Sequence, residues 1–260
     1  MTTILEAILL GIIQGLTEWL PISSSGHLVI AQQLLKIEVP LLFDVMLHFG
    51  SLVAVLALFW KDILKIIKGF LRLDFKSQEG KLGLYIIIGS IPVGFVGFLL
   101  HDYIEYVFND LFLVGVSLIV TGILLYSTKN KNGGKKLNFS DSILIGFTQA
   151  ITLVPGISRS GSTISIGLLR DIDKKTVFEF SFLLSIPAII GANLLEITKF
   201  GIKNNTLWFP MFIGMIIAGI IGYISLKFLF KAIQKDKFYL FSYYCWVVGI
   251  ILISYVLRIF

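Results

Sequence analysis

The 260-residue chain is 56% apolar, carries a formal net charge of +6 and has one cysteine. Soluble domains run at about 45–50% apolar, so the composition excludes an ordinary soluble domain. The Lys and Arg residues lie in short runs between apolar segments, where they set membrane orientation rather than bind nucleic acid. A lone thiol, Cys245, makes neither an internal disulfide nor a cysteine-rich metal centre.

The chain turns apolar at once, without a basic leader, and Glu6, Gln14 and Glu18 interrupt the first run, so it does not read as a cleaved signal peptide. A spanning helix needs about 20 mostly apolar residues. Six segments qualify, roughly 41–60, 82–100, 111–127, 178–197, 208–228 and 239–258. Two further apolar regions, 3–36 and 140–169, are each split by Pro, Gly and Ser, and their halves are too short to cross. Such halves suit hairpins that dip into the membrane and return.

The loops give an orientation. Lys61 to Lys81, the linker with Lys129, Lys131, Lys135 and Lys136, and the run Lys227 to Lys237 are strongly basic, and the positive-inside rule makes them cytoplasmic. The loop His101 to Asp110 is acidic and is expected outside. These sides alternate only if both split regions return to the side they left.

An internal repeat is visible. GIIQGLTEWLPISSSG at Gly11 matches GFTQAITLVPGISRSG at Gly146, at a gapless offset of 135 residues. Repeat one covers 1–125, a cytoplasmic linker 126–139, and repeat two 140–260, within one membrane domain. Three spans per half is odd, so the halves are inverted relative to each other. The expected fold is an all-α integral membrane protein with an inverted-topology repeat, six transmembrane helices and two re-entrant helix hairpins whose tips meet near the midplane.

The tips carry the chemistry. A charge at the centre of a membrane helix costs about 2.5–3.5 kcal/mol, so Glu18 and Arg159 should face a wet cavity or each other. Gln14 and Glu18 share a helix face at i, i+4. A new helix is expected to start near Gly26 and near Gly161, and helix N-termini attract phosphates. Ser23, Ser25, Gly26, Ser158, Ser160 and Gly161 make up this anion cradle, with Arg159 as a bidentate phosphate partner. His27 can be an acid, base or nucleophile. Glu18 with Gln14 offers hard oxygen ligands for Mg²⁺ or Ca²⁺ on a diphosphate. Together these residues form a phosphoryl-transfer set, and the apolar surroundings suggest a lipid carrying the phosphate.

QGLTE (Gln14 to Glu18), PISSSGH (Pro21 to His27) and PGISRSG (Pro155 to Gly161) closely resemble the motifs of the bacterial undecaprenyl-diphosphate phosphatases, the bacitracin-resistance membrane proteins. The resemblance runs over essentially the whole chain. It implies hydrolysis of undecaprenyl diphosphate to the monophosphate at the outer face of the bacterial plasma membrane, which recycles the wall-polymer carrier and confers bacitracin resistance. Carried over by position, it implies Glu18, Ser24, His27 and Arg159 as catalytic residues. Either Ser24, activated by His27, or a water held by Glu18 or a metal is the attacking group. The rival reading is a lipid-phosphate transporter or flippase, because fold alone does not fix function. The expected partners are the lipid, the membrane and, as a further candidate, a second copy of the chain; no nucleic acid is expected.

Blander readings apply elsewhere. Ser23 and Ser25 are more often caps and packing residues than nucleophiles. Asp44 and His48 at i, i+4 read as a second shell of the site or as the start of a span, the latter slightly favoured. Glu179 and Glu196 read as structural, His101 as solvated, and Gly214, Gly219 and Gly222 as close helix packing.

Overall fold

A computed structural model describes residues 3–100, 103, 110–131, 133–200 and 207–258, the side chains of 199 and 200 excepted. The acidic loop 101–110, His101 included, therefore lies outside the described residues except for Tyr103 and Asp110. The helices in chain order are α1 Ile4–Trp19, α2 Ser24–Leu35, α3 Leu41–Leu71, α4 Gln78–Leu99, α5 Leu111–Ser127, α6 Phe139–Ile151, α7 Arg159–Leu169, α8 Lys174–Phe200, α9 Trp208–Gln234 and, after a 3-10 turn at Phe238–Leu240, α10 Phe241–Val256. No strand occurs among the described residues.

Five helices are long and apolar enough to cross a bilayer: α3, α4, α8, α9, and α10 with its leading turn. The chain is thus a multi-pass, membrane-embedded protein. The sixth expected span forms α5, an apolar helix of 17 residues. At 1.5 Å per residue it rises about 26 Å, against a hydrocarbon core of about 30 Å. Helix α3 also departs from expectation. It continues beyond residue 60 to Leu71, past a kink at Phe59 (φ −106°, ψ 15°). Hydropathy sees only where the apolar run ends. A helix persists into polar surroundings as long as its backbone bonds and one packed face continue, here through the buried Ile66.

Both split regions are helix–break–helix pairs. Helix α1 ends at Trp19, just before Pro21; α6 ends at Ile151, and the chain passes Pro155 and Gly156 (φ +90°) before α7. Equivalent features recur at the 135-residue offset. Helices α2 and α7 start at Ser24 and Arg159. Capping boxes open α1 with Thr3–Glu6 and α6 with Asn138–Asp141. Asp141 also pairs with Lys135 (2.8 Å) and Arg170 (2.9 Å). Burial pushes its carboxyl up, but these two cations outweigh that and hold it below the usual carboxylate range.

Two glycines at this offset, Gly11 and Gly146, each make a close contact with another helix. A Cβ on Gly11 would lie 2.6 Å from the Gly214 carbonyl oxygen of α9, and one on Gly146 would lie 2.4 Å from the Gly89 oxygen of α4. Each helix before a break therefore lies backbone to backbone on a long helix from the other half of the chain. Small residues allow this approach, which carries van der Waals attraction in lipid. The expected packing role of Gly214, Gly219 and Gly222 is borne out: a Cβ on any of them would press within about 3 Å of Leu47, Gly50 or Trp19.

Gly146→Leu would force α6 away from α4. Overpacking of this kind costs about 1–3 kcal/mol or more. The expected result is a lower midpoint of thermal unfolding in detergent than for Leu144→Ala, a change at an exposed position of the same helix.

Candidate active site

The two breaks meet. A Cβ on Gly26 would come within 3.3 Å of Gly156 Cα, and one on Gly161 within 3.3 Å of Pro21 Cβ. Ser160 Oγ donates to the Leu20 carbonyl across the junction at 3.4 Å. Gly26, Ser160 and Gly161 therefore serve the contact between the breaks, and they do not line the cavity beside it. The second break is tied to α5, where the Ser158 N–H donates to Thr121 Oγ1 at 3.1 Å and that hydroxyl donates to the Gly156 carbonyl at 3.3 Å.

At this junction stands a buried cluster centred on Glu18, in the last turn of α1. Its Oε1 accepts from Arg159 Nη2 at 2.6 Å. Its Oε2 accepts from the Ser24 hydroxyl at 2.6 Å and from Gln14 Nε2 at 3.0 Å. His48 Nε2, from α3, lies 3.2 Å from the same oxygen and 3.5 Å from Ser24 Oγ. The other ring nitrogen, Nδ1, donates to the Asp44 carbonyl at 2.8 Å. Asp44 itself is buried and accepts from Gln32 at 2.7 Å. Arg159 lies over the Trp19 ring, 5.2 Å from its centroid, a cation–π contact that strengthens where water is excluded. Its Nη1 is buried and has no hydrogen-bond partner.

A cavity of about 520 Å³ opens on this cluster, within the range of small-molecule sites. Glu18, Ser23, Ser24, Ser25, His48, Ser158 and Arg159 line it, with Asp44, Gln149, Asn193 and Glu196 as further polar groups, and Val93, Phe98, Leu153, Ile189 and Leu195 are among its apolar walls. A hydroxyl held against a carboxylate, beside a guanidinium with a free donor, can deprotonate one group while neutralising charge on another. That is the requirement of transfer to or from a phosphate or carboxylate.

Three of the four expected catalytic residues, Glu18, Ser24 and Arg159, come together. His27 does not. Its ring points away from the cavity, with Nδ1 2.7 Å from the Ser23 carbonyl and Nε2 2.7 Å from the Tyr244 hydroxyl. On α2 it lies three residues after Ser24, close to one helical turn, but on a face that packs toward α10. Its position in the motif could not reveal this, because Tyr244 is 217 residues away.

The expected metal ligands, Glu18 and Gln14, are hydrogen-bonded to each other in this structure. Both Glu18 oxygens already accept hydrogen bonds, and a guanidinium stands 2.6 Å from one of them. Gln14 lies behind Glu18, fully buried and off the cavity wall, with its amide nitrogen rather than its oxygen toward the carboxylate. Among the described residues no cluster of three His, Cys, Asp or Glu side chains could hold a metal ion.

His48 is the residue that sequence reasoning underrated. The available signal was an imidazole at i, i+4 from an acid within an apolar span, where a polar side chain is expensive unless it is used. Trp19 is wholly buried and forms the floor beneath Arg159.

The model of the bacitracin resistance protein BacA family matches residues 7–251. An undecaprenyl-diphosphatase of Halothermothrix orenii is 43% identical over 258 residues, covering 96% of this chain and 97% of its own length. Undecaprenyl-diphosphatases of Methanosphaera stadtmanae (41% over 271 residues, 97% and 98% covered) and Korarchaeum cryptofilum (42% over 259 residues, 96% and 98% covered) are similar to it to the same degree. With a family match that spans nearly all of the chain and the motif residues gathered at one buried carboxylate, the chain belongs to the BacA family of bacitracin resistance proteins.

Proposed function

We propose that this chain is a membrane phosphatase that hydrolyses undecaprenyl diphosphate to undecaprenyl phosphate and inorganic phosphate, recycling the lipid carrier for wall synthesis and giving resistance to bacitracin. The observation that carries this reading is the free Nη1 donor of Arg159, buried beside the Glu18–Ser24 hydrogen bond in a cavity with apolar walls. An unsatisfied buried donor is costly unless a ligand completes it. A phosphoryl oxygen is a strong acceptor for such a donor, and the apolar walls suit the isoprenyl chain. The names of the relatives agree with this substrate.

In this reading Ser24 Oγ attacks the terminal phosphorus. Its proton passes to the Glu18 carboxylate, where His48 can share it. The bridging P–O bond breaks, and the lipid monophosphate leaves with that bond's electron pair. Water then adds to the phosphoserine and gives a proton to the Glu18–His48 pair, the departing Ser24 oxygen takes one back, and the pair releases the other to solvent with the phosphate, which restores the carboxylate. Arg159 neutralises charge on the transferred group throughout. Ser23, Ser25 and Ser158 offer further donors in the cavity. Glu18, with Gln14 behind it, would be the oxygen ligands for a Mg²⁺ or Ca²⁺ ion, which would neutralise charge on the diphosphate.

We further infer six spans, with α5 as the shortest, and two re-entrant pairs, α1–α2 and α6–α7, related by inverted duplication of 1–125 and 140–260 about a cytoplasmic linker at 126–139. The basic segments face the cytoplasm, and the site opens to the outer face of the bacterial plasma membrane. The 135-residue recurrence of helix starts, of caps and of the close-packed Gly11 and Gly146 supports this layout.

The decisive assay is phosphate release in detergent, where no sidedness exists. Wild-type protein should release phosphate from a polyprenyl diphosphate, and Ser24→Ala, Glu18→Ala and Arg159→Ala should each lose at least about 100-fold in kcat. Lipid transfer in vesicles without phosphate release would instead identify a flippase. A burst of phosphorylated protein, absent in Ser24→Ala, is expected if the serine attacks; its absence in an active enzyme would transfer that role to water.

His48→Gln should keep a hydrogen bond to Glu18 but cannot carry a proton. Its kcat is expected to fall by about tenfold or more, and any limb of the pH–rate profile between about pH 5 and 8, the range where imidazole titrates, should vanish. His27→Gln should retain such a limb.

A further inference from the structure

The two helix breaks are capped alike, yet one is held in a backbone conformation that the other does not adopt. Ser23 accepts from the Gly26 N–H at 3.3 Å, and Ser158 accepts from the Gly161 N–H at 3.0 Å. The hydroxyls of Ser23 and Ser25 lie 3.2 Å apart, those of Ser158 and Ser160 3.4 Å. Ser158 has φ −74° and ψ 121°, an ordinary extended residue. Ser23 has φ 70° and ψ 100°, which a side chain other than glycine rarely adopts. Such residues persist only where their surroundings hold them.

What differs is the grip on the Ser23 carbonyl. That oxygen accepts from the His27 backbone N–H at 3.2 Å and lies 2.7 Å from His27 Nδ1. At the 135-residue offset the position of His27 is occupied by Ser162, whose hydroxyl makes no such bond. Since a carbonyl only accepts, Nδ1 carries the proton, and the neutral ring then accepts at Nε2 from the Tyr244 O–H. The two rings lie nearly parallel, 14° apart with centroids at 5.6 Å. Tyr244 belongs to α10, in the other half of the chain.

We propose that His27 and Tyr244 form a brace that holds Ser23 in its left-handed backbone and thereby aims the Ser24 hydroxyl at Glu18. The proposal rests on the assignment of Ser24 as nucleophile. Ser23 ψ sets the direction of the Ser24 backbone, so relaxation of Ser23 to the conformation of Ser158 swings Ser24 Oγ away from its 2.6 Å contact with Glu18. Both nitrogens of His27 are engaged and its ring is off the cavity wall. His27 and Tyr244 are positioning residues, and neither exchanges a proton with substrate.

The test is a double-mutant cycle on the full-length protein in detergent, reading phosphate release from a polyprenyl diphosphate together with thermal unfolding. Tyr244→Phe keeps the ring and removes only the hydroxyl. It should lower kcat about tenfold while leaving KM within about twofold and the unfolding midpoint essentially unchanged. His27→Ala should lower kcat about 100-fold, the scale of a misplacement of about 1 Å, without removing a limb of the pH profile. The key outcome is in the Ser23→Gly background. Glycine takes a positive φ unaided, so the same His27→Ala change should there cost less than about threefold. Should His27→Ala not fold, Tyr244→Phe against Ser23→Gly completes the same cycle.

Additive effects of Ser23→Gly and His27→Ala overturn the brace. So does a pH limb lost in His27→Ala, which would make that imidazole a proton carrier. A wild-type chain that releases no phosphate removes the phosphatase reading itself. An active wild type with an inactive Ser24→Ala and unimpaired Tyr244→Phe and His27→Ala sinks the brace alone.

Discussion

The ion pair between Glu18 and Arg159, 141 residues apart in sequence, is the contact on which the rest depends. Neither charge belongs alone in an apolar interior, where the cost of one runs to about 2.5–3.5 kcal/mol. Their side chains are only 6% and 15% exposed, so solvent does little to stabilise them. The pair is tolerated because each partner has further support: Ser24, Gln14 and His48 around the carboxylate, the Trp19 face beneath the guanidinium. Breaking a buried pair leaves the survivor uncompensated, which ties the two helix breaks to one another as well as to the chemistry.

Two breaks are needed because a continuous helix cannot present such a set. Its backbone is saturated and its side chains point outward. By stopping α1 at Trp19 and restarting at Ser24, the chain frees a helix C-terminal turn for Glu18 and a helix N-terminal turn for Ser24, and it does the same again to deliver Arg159. The frame recurs at 135 residues, but the functional positions do not. Glu18 corresponds to Leu153, Ser24 to Arg159 and His27 to Ser162. A symmetric pocket would set like charge against like charge. Divergence at those positions is what makes the charges complementary.

The cavity is lined by the Glu18 cluster and by Val, Phe, Leu and Ile side chains, with Asn193 and Glu196 among them. That lining matches an amphipathic ligand, with a head that needs donors and a tail that needs only to leave water. Low polarity around the head also strengthens each hydrogen bond within the cluster. The close glycine contacts of α1 on α9 and α6 on α4 fix the breaks in place, so the geometry at Glu18 is inherited from helix packing at a distance.

Composition, the basic loops and the split apolar runs were sufficient to read an all-helical membrane protein, because lipid admits few ways to satisfy a backbone. Offset and motif placed Glu18, Ser24 and Arg159 at corresponding breaks, since duplication and Pro, Gly and Ser punctuation are local signals. What the sequence could not decide was direction. Whether His27 or His48 stands beside Ser24 depends on which face of α2 meets α10 and which face of α3 meets α1, and no spacing within one segment encodes that. The lengths of α3 and α5, the brace from Tyr244 and the hydrogen-bond partners gathered around Glu18 likewise follow from contacts between residues far apart in the chain. They exist only once the helices have packed.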